Sequence, residues 1–321
     1  MRVFRSLEEA RSQFAPSVIS IGNFDGVHIG HRELLRRVKV RAAKTQAKPS
    51  VITFHPHPAQ VVAPERAPLL LTTPEERVAL MAVEGIEQVL IVPFDESVAS
   101  LEPVQFIDRV VAGIAGARAV VVGDNFRFGR RQAGNIATLR ELAGPRGIEV
   151  EVVHPVPWRG AIVSSSAIRR LIQAGNVSRA ARMLARPYAL SGDVVPGEGR
   201  GSKQTVPTLN LKWENAVLPA TGVYITRTTC LATGSIWPSI TNIGYRPTFA
   251  GKGITVETFL LTPLAAETPR RIQVDFLRRM REERAFPDAV ALKSQILQDV
   301  ARAQAFHRRI SKSLKPEACR L

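Results

Sequence analysis

The sequence predicts an α/β doubly wound parallel sheet followed by a small antiparallel β-barrel with a C-terminal helix. Two observations carry this reading. In the N-terminal half, apolar runs of strand length alternate with helical patterns across short connections, the pattern of βαβ units. Beyond Ala185-Arg186-Pro187-Tyr188 the helical periods stop, and short β-rich runs follow one another across Gly/Pro turns. With 321 residues, 45% of them apolar, the chain is long enough for two domains that each bury a core. The expected bounds are 1–185 for the first domain and 186–312 for the second, with 313–321 as a tail.

The first unit sets the pattern. Val18, Ile19 and Ile21 form an apolar run that ends at Gly22, and a glycine-containing turn leads to a helix from His31 to about Thr45 with Leu34, Leu35 and Val38 on one face. His28 and His31 flank Gly30. Three residues apart, they share a helical face, so both imidazoles are expected to point outward at the helix N-terminus. Free backbone N–H groups and the macrodipole favour an anion there, phosphate above all. Adjacent histidines are more often solvated surface groups, and two alone make a poor metal site. The glycines, which permit close backbone approach, and the strand before them favour the ligand reading.

The other elements follow in order. Ser50–Phe54 reads as a second strand, ending in Phe54-His55-Pro56-His57-Pro58. Thr72 with Pro74, Glu75 and Glu76 marks a capped helix start running to about Glu84. Gln88–Pro93 is a third strand, Glu102–Ile114 an amphipathic helix, and Ala119–Gly123 a fourth strand running into Asp124-Asn125-Phe126-Arg127-Phe128-Gly129. Asn135–Leu142 is a helix, Glu149–His154 a fifth strand and Val177–Leu184 a short helix. In the second half, strands are expected at Tyr188–Val195, Gly222–Leu231, Ser235–Ile243, Ile254–Leu261 and Ile272–Met280. A closing helix over about 288–310 is expected to bring Val290, Ile296, Leu297 and Val300 to the core. Thr208 and Asn210, two apart in extended backbone, place both oxygens on one face, a hard donor pair of the kind Mg²⁺ takes together with nucleotide phosphates.

Composition excludes other classes. No apolar run reaches the roughly 18 residues that span a bilayer, and the mixed-charge N-terminus lacks an apolar signal core, so a cytoplasmic protein without membrane partners is expected. Cys230 and Cys319 give neither metal spacing nor a disulfide framework. The formal net charge of +16 is spread along the chain without basic blocks or aromatic interleaving, which argues against nucleic acid as the main partner. A homo-oligomer is compatible with the sequence.

IGNFDGVHIGH resembles the His-x-Gly-His motif of the nucleotidylyltransferase superfamily, and in this wording that of the bacterial bifunctional riboflavin kinase/FMN adenylyltransferases. The resemblance implies a Rossmann-like first domain that joins AMP from ATP to FMN, giving FAD and pyrophosphate. It also implies a barrel that phosphorylates riboflavin with ATP and Mg²⁺. His28, His31 and Arg169 are then catalytic in the first half. Gly22, Phe24, Gly26, Gly30, Ser164 and Ser165 bind ATP or phosphate, as do Gly199 and Gly201 of the second half. His57, Asp124, Asn125 and Arg127 line the flavin and nucleotide. Val163-Ser164-Ser165-Ser166-Ala167-Ile168-Arg169 is similar to a family segment that closes over the triphosphate, with Ser166 in place of the usual Thr. Pro207-Thr208-Leu209-Asn210 resembles the Pro-Thr-x-Asn motif of riboflavin kinases, which implies that Thr208 and Asn210 hold the metal. Glu257 matches the family's general base, and Asn242-Ile243-Gly244 opens a segment with a structural role. Thr205-Val206 replaces the usual Gly-Phe, and Ala265–Pro269 replaces a Leu-Tyr-Gly. Two further readings compete: an adenylyltransferase whose barrel has lost kinase turnover, and a basic nucleic-acid-binding protein on the same scaffold.

Overall fold

A computed structural model describes residues 1–196, 208–213, 216–248, 251–264 and 267–313, the side chains of 246–248, 251–252 and 311–313 excepted. The chain forms two compact units, Met1–Ala167 and Ile168–Leu321.

The first unit is built on six parallel strands: β1 (Arg2–Phe4), β2 (Ser17–Ile21), β3 (Lys48–His55), β4 (Gln88–Pro93), β5 (Ala117–Gly123) and β6 (Glu149–Val153), in the order β1-β4-β3-β2-β5-β6. The sequence reading finds five of these. β1 is too short to show a period, and pairing with β4 through Val3 and Val89 makes it a strand. Alternate residues serve two cores, as expected of a sheet covered on both faces. Ile19, Ile21, Ile52, Leu90, Val92, Val120 and Val122 pack on one side with Phe106, Ile107, Val110 and Leu139. Val18, Val51, Val89, Ile91, Ala119 and Val121 pack on the other with Leu35, Val38 and Met81. The chain leaves β2 toward β3 on one side and β5 pairs with β2 on the other. The strand order therefore reverses at β2/β5, the place where open α/β sheets bind ligands.

Three details differ from expectation. The cap of the helix Pro74–Val83 is Thr73, in a capping box with Glu76, and not Thr72. The expected helix over 102–114 is an α-turn, Pro103–Phe106, followed by a π-helix, Ile107–Ile114. After β6 comes a two-stranded ribbon, β7 (Pro157–Trp158) and β8 (Ala161–Ile162), which leads to the helix Ser165–Gln173.

In the second unit, β9 (Tyr188–Val195), β10 (Thr208–Lys212), β11 (Gly222–Cys230), β12 (Ile236–Thr248), β13 (Gly251–Leu260) and β14 (Arg271–Arg281) close an antiparallel barrel in the order β10-β13-β12-β11-β14-β9. Tyr224, Thr226, Ile243, Val256, Thr258, Leu260, Leu209 and Leu211 are buried. A run of hydroxyls crosses that interior: Thr228 to Ser239 (2.8 Å), Ser239 to Thr226 (2.9 Å), Thr226 to Thr241 (2.8 Å) and Thr241 to Thr258 (2.9 Å). The helix Val177–Leu184 packs on the barrel, with Ser178 Oγ donating to the Leu277 carbonyl at 3.0 Å.

The closing helix, Ala289–Ser313, turns a different face to the barrel than its apolar residues suggest. Val290 and Leu297 are 78% and 61% exposed and Ile296 is exposed too, while Ala303, Val300 and Phe306 pack on Val223, Ile225 and Ile240. The reason is polar. Asp299 is buried because Arg281 Nε donates to it at 2.9 Å, and Gln295 Nε2 donates to its other oxygen at 2.9 Å. A hydrogen-bonded ion pair can be buried where either partner alone could not, so this face wins over the more apolar one.

Candidate active sites

The loop Gly22–Val27 joins β2 to the helix Ile29–Thr45 at the switch point. Its backbone is unusual: Phe24, Gly26 and Val27 have φ of 49°, 83° and 37°. For a β-branched residue such as Val27 this is a strained conformation that the surroundings must hold. Asp25 holds it. Its carboxylate, 2% exposed, accepts from Leu71 N on both oxygens (3.0 Å each), from Thr72 N (3.0 Å) and from Thr72 Oγ1 (3.0 Å). Thr72 Oγ1 in turn accepts from Gly26 N at 3.0 Å. Asp25 went unnoticed in the sequence because a lone acid in a glycine-containing loop resembles any turn residue.

This loop delivers the histidines, though not as two outward-pointing rings. His28 is 5% exposed and is the N-cap of the helix, its Nδ1 accepting from His31 N at 3.3 Å. A ring nitrogen that accepts carries no proton, so the proton of His28 sits on Nε2. The His31 ring stacks on it at 3.6 Å between centroids and touches Phe24 at 5.1 Å. A side chain at Gly30 would press on the His28 ring at 3.2 Å, whereas one at Gly22 would meet only the Phe24 ring at 3.5 Å. Burial, then His28 and Arg77, push the His31 pKa well below its usual 6.5. His31 is therefore neutral near pH 7 and keeps one ring N–H to donate.

The other predicted residues are placed as follows. Asp124, Asn125 and Arg127 are exposed just past β5, the strand beside β2, in a turn closed by Phe126 N to the Gly123 carbonyl at 3.1 Å. His57 is half-buried; its Nδ1 accepts from Ala59 N at 3.2 Å, and its Nε2 lies 3.0 Å from the Asn23 carboxamide, beside the histidine loop. Ser164 Oγ accepts from Ala167 N at 3.2 Å, and Ser165 Oγ donates to the Asp25 carbonyl at 2.9 Å. Arg169 is half-buried, one turn beyond Ser165 on the helix Ser165–Gln173.

In the second unit, Leu209 and Leu211 point into the barrel, so Thr208 and Asn210 lie on its outer face. Asn210 pairs with Glu257, and Glu257 pairs with Asn242 on its other side. Residues directly opposite in antiparallel strands share a face, so Asn210, Glu257 and Asn242 form one polar rung. Asn242 is the residue the sequence reading passed over as structural; only the register of the neighbouring strands β10, β13 and β12 shows where it stands. Gly199 and Gly201 lie outside the described residues, as do Thr205-Val206. Among the described residues, no His/Cys/Asp/Glu cluster of three has the spacing to hold a metal by itself, so a cation here would depend on substrate oxygens.

The FAD synthetase family matches residues 10–167 and the riboflavin kinase family residues 184–307. The bifunctional riboflavin kinase/FMN adenylyltransferase of Pseudomonas fluorescens is 35% identical over 306 residues, covering 95% of this chain and 97% of that protein. The chain belongs to the bifunctional riboflavin kinase/FMN adenylyltransferase family. Relatives bearing the same name in Escherichia coli K12 and Bacillus subtilis are 34% and 33% identical, each alignment covering 90% of this chain and 92% of the relative. Among solved structures, one titled as a macrolide-efflux protein from Streptococcus pneumoniae superposes with a TM-score of 0.84 at 27% identity, covering 94% of this chain and 98% of that one. Among the described residues no helix is long and apolar enough to cross a membrane.

Proposed function

We propose that the chain makes FMN and then FAD in two reactions, each run by the residues of its own half. The reading assigns adenylyl transfer to residues 1–185 and riboflavin phosphorylation to 186–312. The observation that carries it is the stacked His28–His31 pair on a helix N-terminus at the switch point of a parallel sheet.

In the adenylyl transfer, an FMN phosphate oxygen attacks the α-phosphorus of ATP and pyrophosphate leaves, so no covalent enzyme intermediate is required. The Nε2–H groups of His28 and His31 donate to phosphate oxygens as charge builds there, alongside the free N–H groups of the helix N-terminus. The strained loop sets the rings before substrate arrives, which removes reorganisation from the reacting step. Arg169 draws charge from the departing pyrophosphate. Asp124, Asn125 and Arg127 contact flavin and nucleotide at the neighbouring strand end. His57 acts by anchoring Asn23.

In the kinase half, the oxygens of Thr208 and Asn210 beside the Glu257 carboxylate suit Mg²⁺ shared with ATP phosphates. When bound, the ion neutralises charge on the transferred phosphoryl group. Glu257 accepts from the riboflavin 5′-hydroxyl and aims it; the transition state is loose, so this aim matters more than early proton removal. The named relatives are bifunctional, which argues against a barrel without kinase turnover. A cytoplasmic setting belongs to the same reading.

The test is to supply riboflavin, ATP and Mg²⁺ and separate the flavins by chromatography. FMN followed by FAD is expected. FMN without FAD, or no product from either substrate, overturns the assignment.

A further inference from the structure

Among the buried polar atoms of the first unit that meet no hydrogen-bond partner within the described residues are Nδ1 of His31 and Nε of Arg77. Arg77 stands on the helix Pro74–Val83 and is 3% exposed. Its NH1 donates to Thr53 Oγ1 at 3.3 Å, and that hydroxyl donates to the Asn23 carbonyl at 3.2 Å, the residue before Phe24. A buried guanidinium is costly unless something uses its charge. A guanidinium can only donate, and an imidazole nitrogen can only accept if its proton is on the other nitrogen. An orphaned donor and an orphaned ring nitrogen thus lie in one buried neighbourhood, beside the helix entry that carries the histidine pair.

We propose that Arg77 is a positioning residue for this pair: its guanidinium holds His31 as the neutral imidazole with the proton on Nε2, so that the ring meets phosphate as a donor. The proposal rests on the reading of His28 and His31 as phosphate ligands. The charged and titratable groups around the ring are His28 from the loop and Arg77 from the helix Pro74–Val83; Asp25 and Glu75 act on Arg77 in turn. Arg77 is one of the groups that push the His31 pKa down. Without it, Asp25 and Glu75 would lose a counter-charge, and a proton on His31 would cost less. A protonated His31 would attract a stray anion before ATP arrives.

The test uses the full chain labelled with ¹⁵N-histidine, as wild type, R77M and R77K. Ring nitrogen shifts give the tautomer and titration midpoint of His31, and FMN adenylylation is followed across pH 5.5–8.5. The wild type is expected to show the Nε2–H tautomer at pH 7. R77M should raise the midpoint by about one unit, a tenfold gain in proton affinity. Its adenylylation should fall with decreasing pH about one unit sooner than that of wild type and recover toward pH 8, while R77K stays close to wild type. Riboflavin phosphorylation reports whether each variant is intact. Should R77M fail to fold, T53V, which releases NH1, is expected to move the midpoint the same way by less. An unmoved midpoint, or an Nδ1–H tautomer in the wild type, overturns the proposal. H31A separates the two levels: full FMN adenylylation in H31A would sink the phosphate reading itself, whereas an inactive H31A beside an unmoved R77M removes only the role of Arg77.

Discussion

Replacing Asp25 by Ala removes the acceptor for Leu71 N, Thr72 N and Thr72 Oγ1, all buried and all at 3.0 Å. Hydrogen bonds to a charged group contribute about 1.5–3 kcal/mol each, and a buried backbone N–H left without a partner costs about 1–3 kcal/mol. Some of this is recovered, because the carboxylate no longer has to be desolvated. A net loss of about 3 kcal/mol is expected, in line with breaking a buried charged network. For a unit of this size, that lowers Tm by about 6–12 °C. The functional loss should be larger than a stability change alone would give. Phe24 and Val27 hold positive φ only while the loop is fastened, and each such residue stores about 1–3 kcal/mol that relaxation would release. Once the loop relaxes, His28 leaves its capping position. At 20 °C, where the protein remains folded, kcat for FMN adenylylation should drop at least about tenfold, by the sensitivity of catalysis to small misplacement. Riboflavin phosphorylation should stay within about twofold. Calorimetry and the two assays on one preparation check this. A Tm within about 2 °C of wild type, or equal loss of both activities, would refute the view of Asp25 as the fastening of the loop.

Other outcomes follow from the same geometry. His28→Ala should cost adenylylation about 10²–10³-fold and spare FMN formation, checked by product chromatography from riboflavin. Asn210→Ala should do the reverse, stopping riboflavin phosphorylation while supplied FMN is still adenylylated. Because the folded-state pKa of His31 lies below 6.5, the unfolded chain binds the proton more readily. The stability this residue lends is complete above about pH 6.5 and is lost as pH falls below it. Denaturant unfolding of wild type between pH 7.5 and 5 should therefore show a steeper decline than that of His31→Gln; parallel curves would contradict it. Asp299→Ala should destabilise the barrel by about 3–5 kcal/mol through the stranded Arg281, whereas Leu297→Ala, on the exposed face, should change urea stability by less than about 0.5 kcal/mol.

The strands were legible because burial on both faces writes continuous apolar runs, and turns between them carry Gly and Pro. Five strands of the first sheet and five of the barrel read directly. β1 did not, being three residues long and dependent on β4 far along the chain, and β10 was legible only as the extended stretch around Thr208 and Asn210. The histidine pair was legible as a motif; its stacking and capping were not, since they depend on a backbone at φ 37–83° that residue types alone do not specify. Asp25, Arg77 and Asn242 escaped notice for a common reason. Each takes its role from a neighbour at least 15 positions away, in Leu71 and Thr72, in Thr53, and in Glu257. The closing helix misled because its apolar residues form the more obvious stripe, and the pairing of Asp299 with Arg281 is invisible until strand and helix meet.

The row of hydroxyls through the barrel has a bearing on the rung outside it. Side chains alternate along a strand, so sliding β12 by a single position against its neighbours would turn Ser239 and Thr241 outward and force Ile240 and Asn242 in. Greasy interiors forgive such a slip more readily, since one branched aliphatic can stand in for another. Here every hydroxyl would lose a directional partner at once. The alignment of Asn210, Glu257 and Asn242 is thus guarded from behind, by small alcohols inside the barrel.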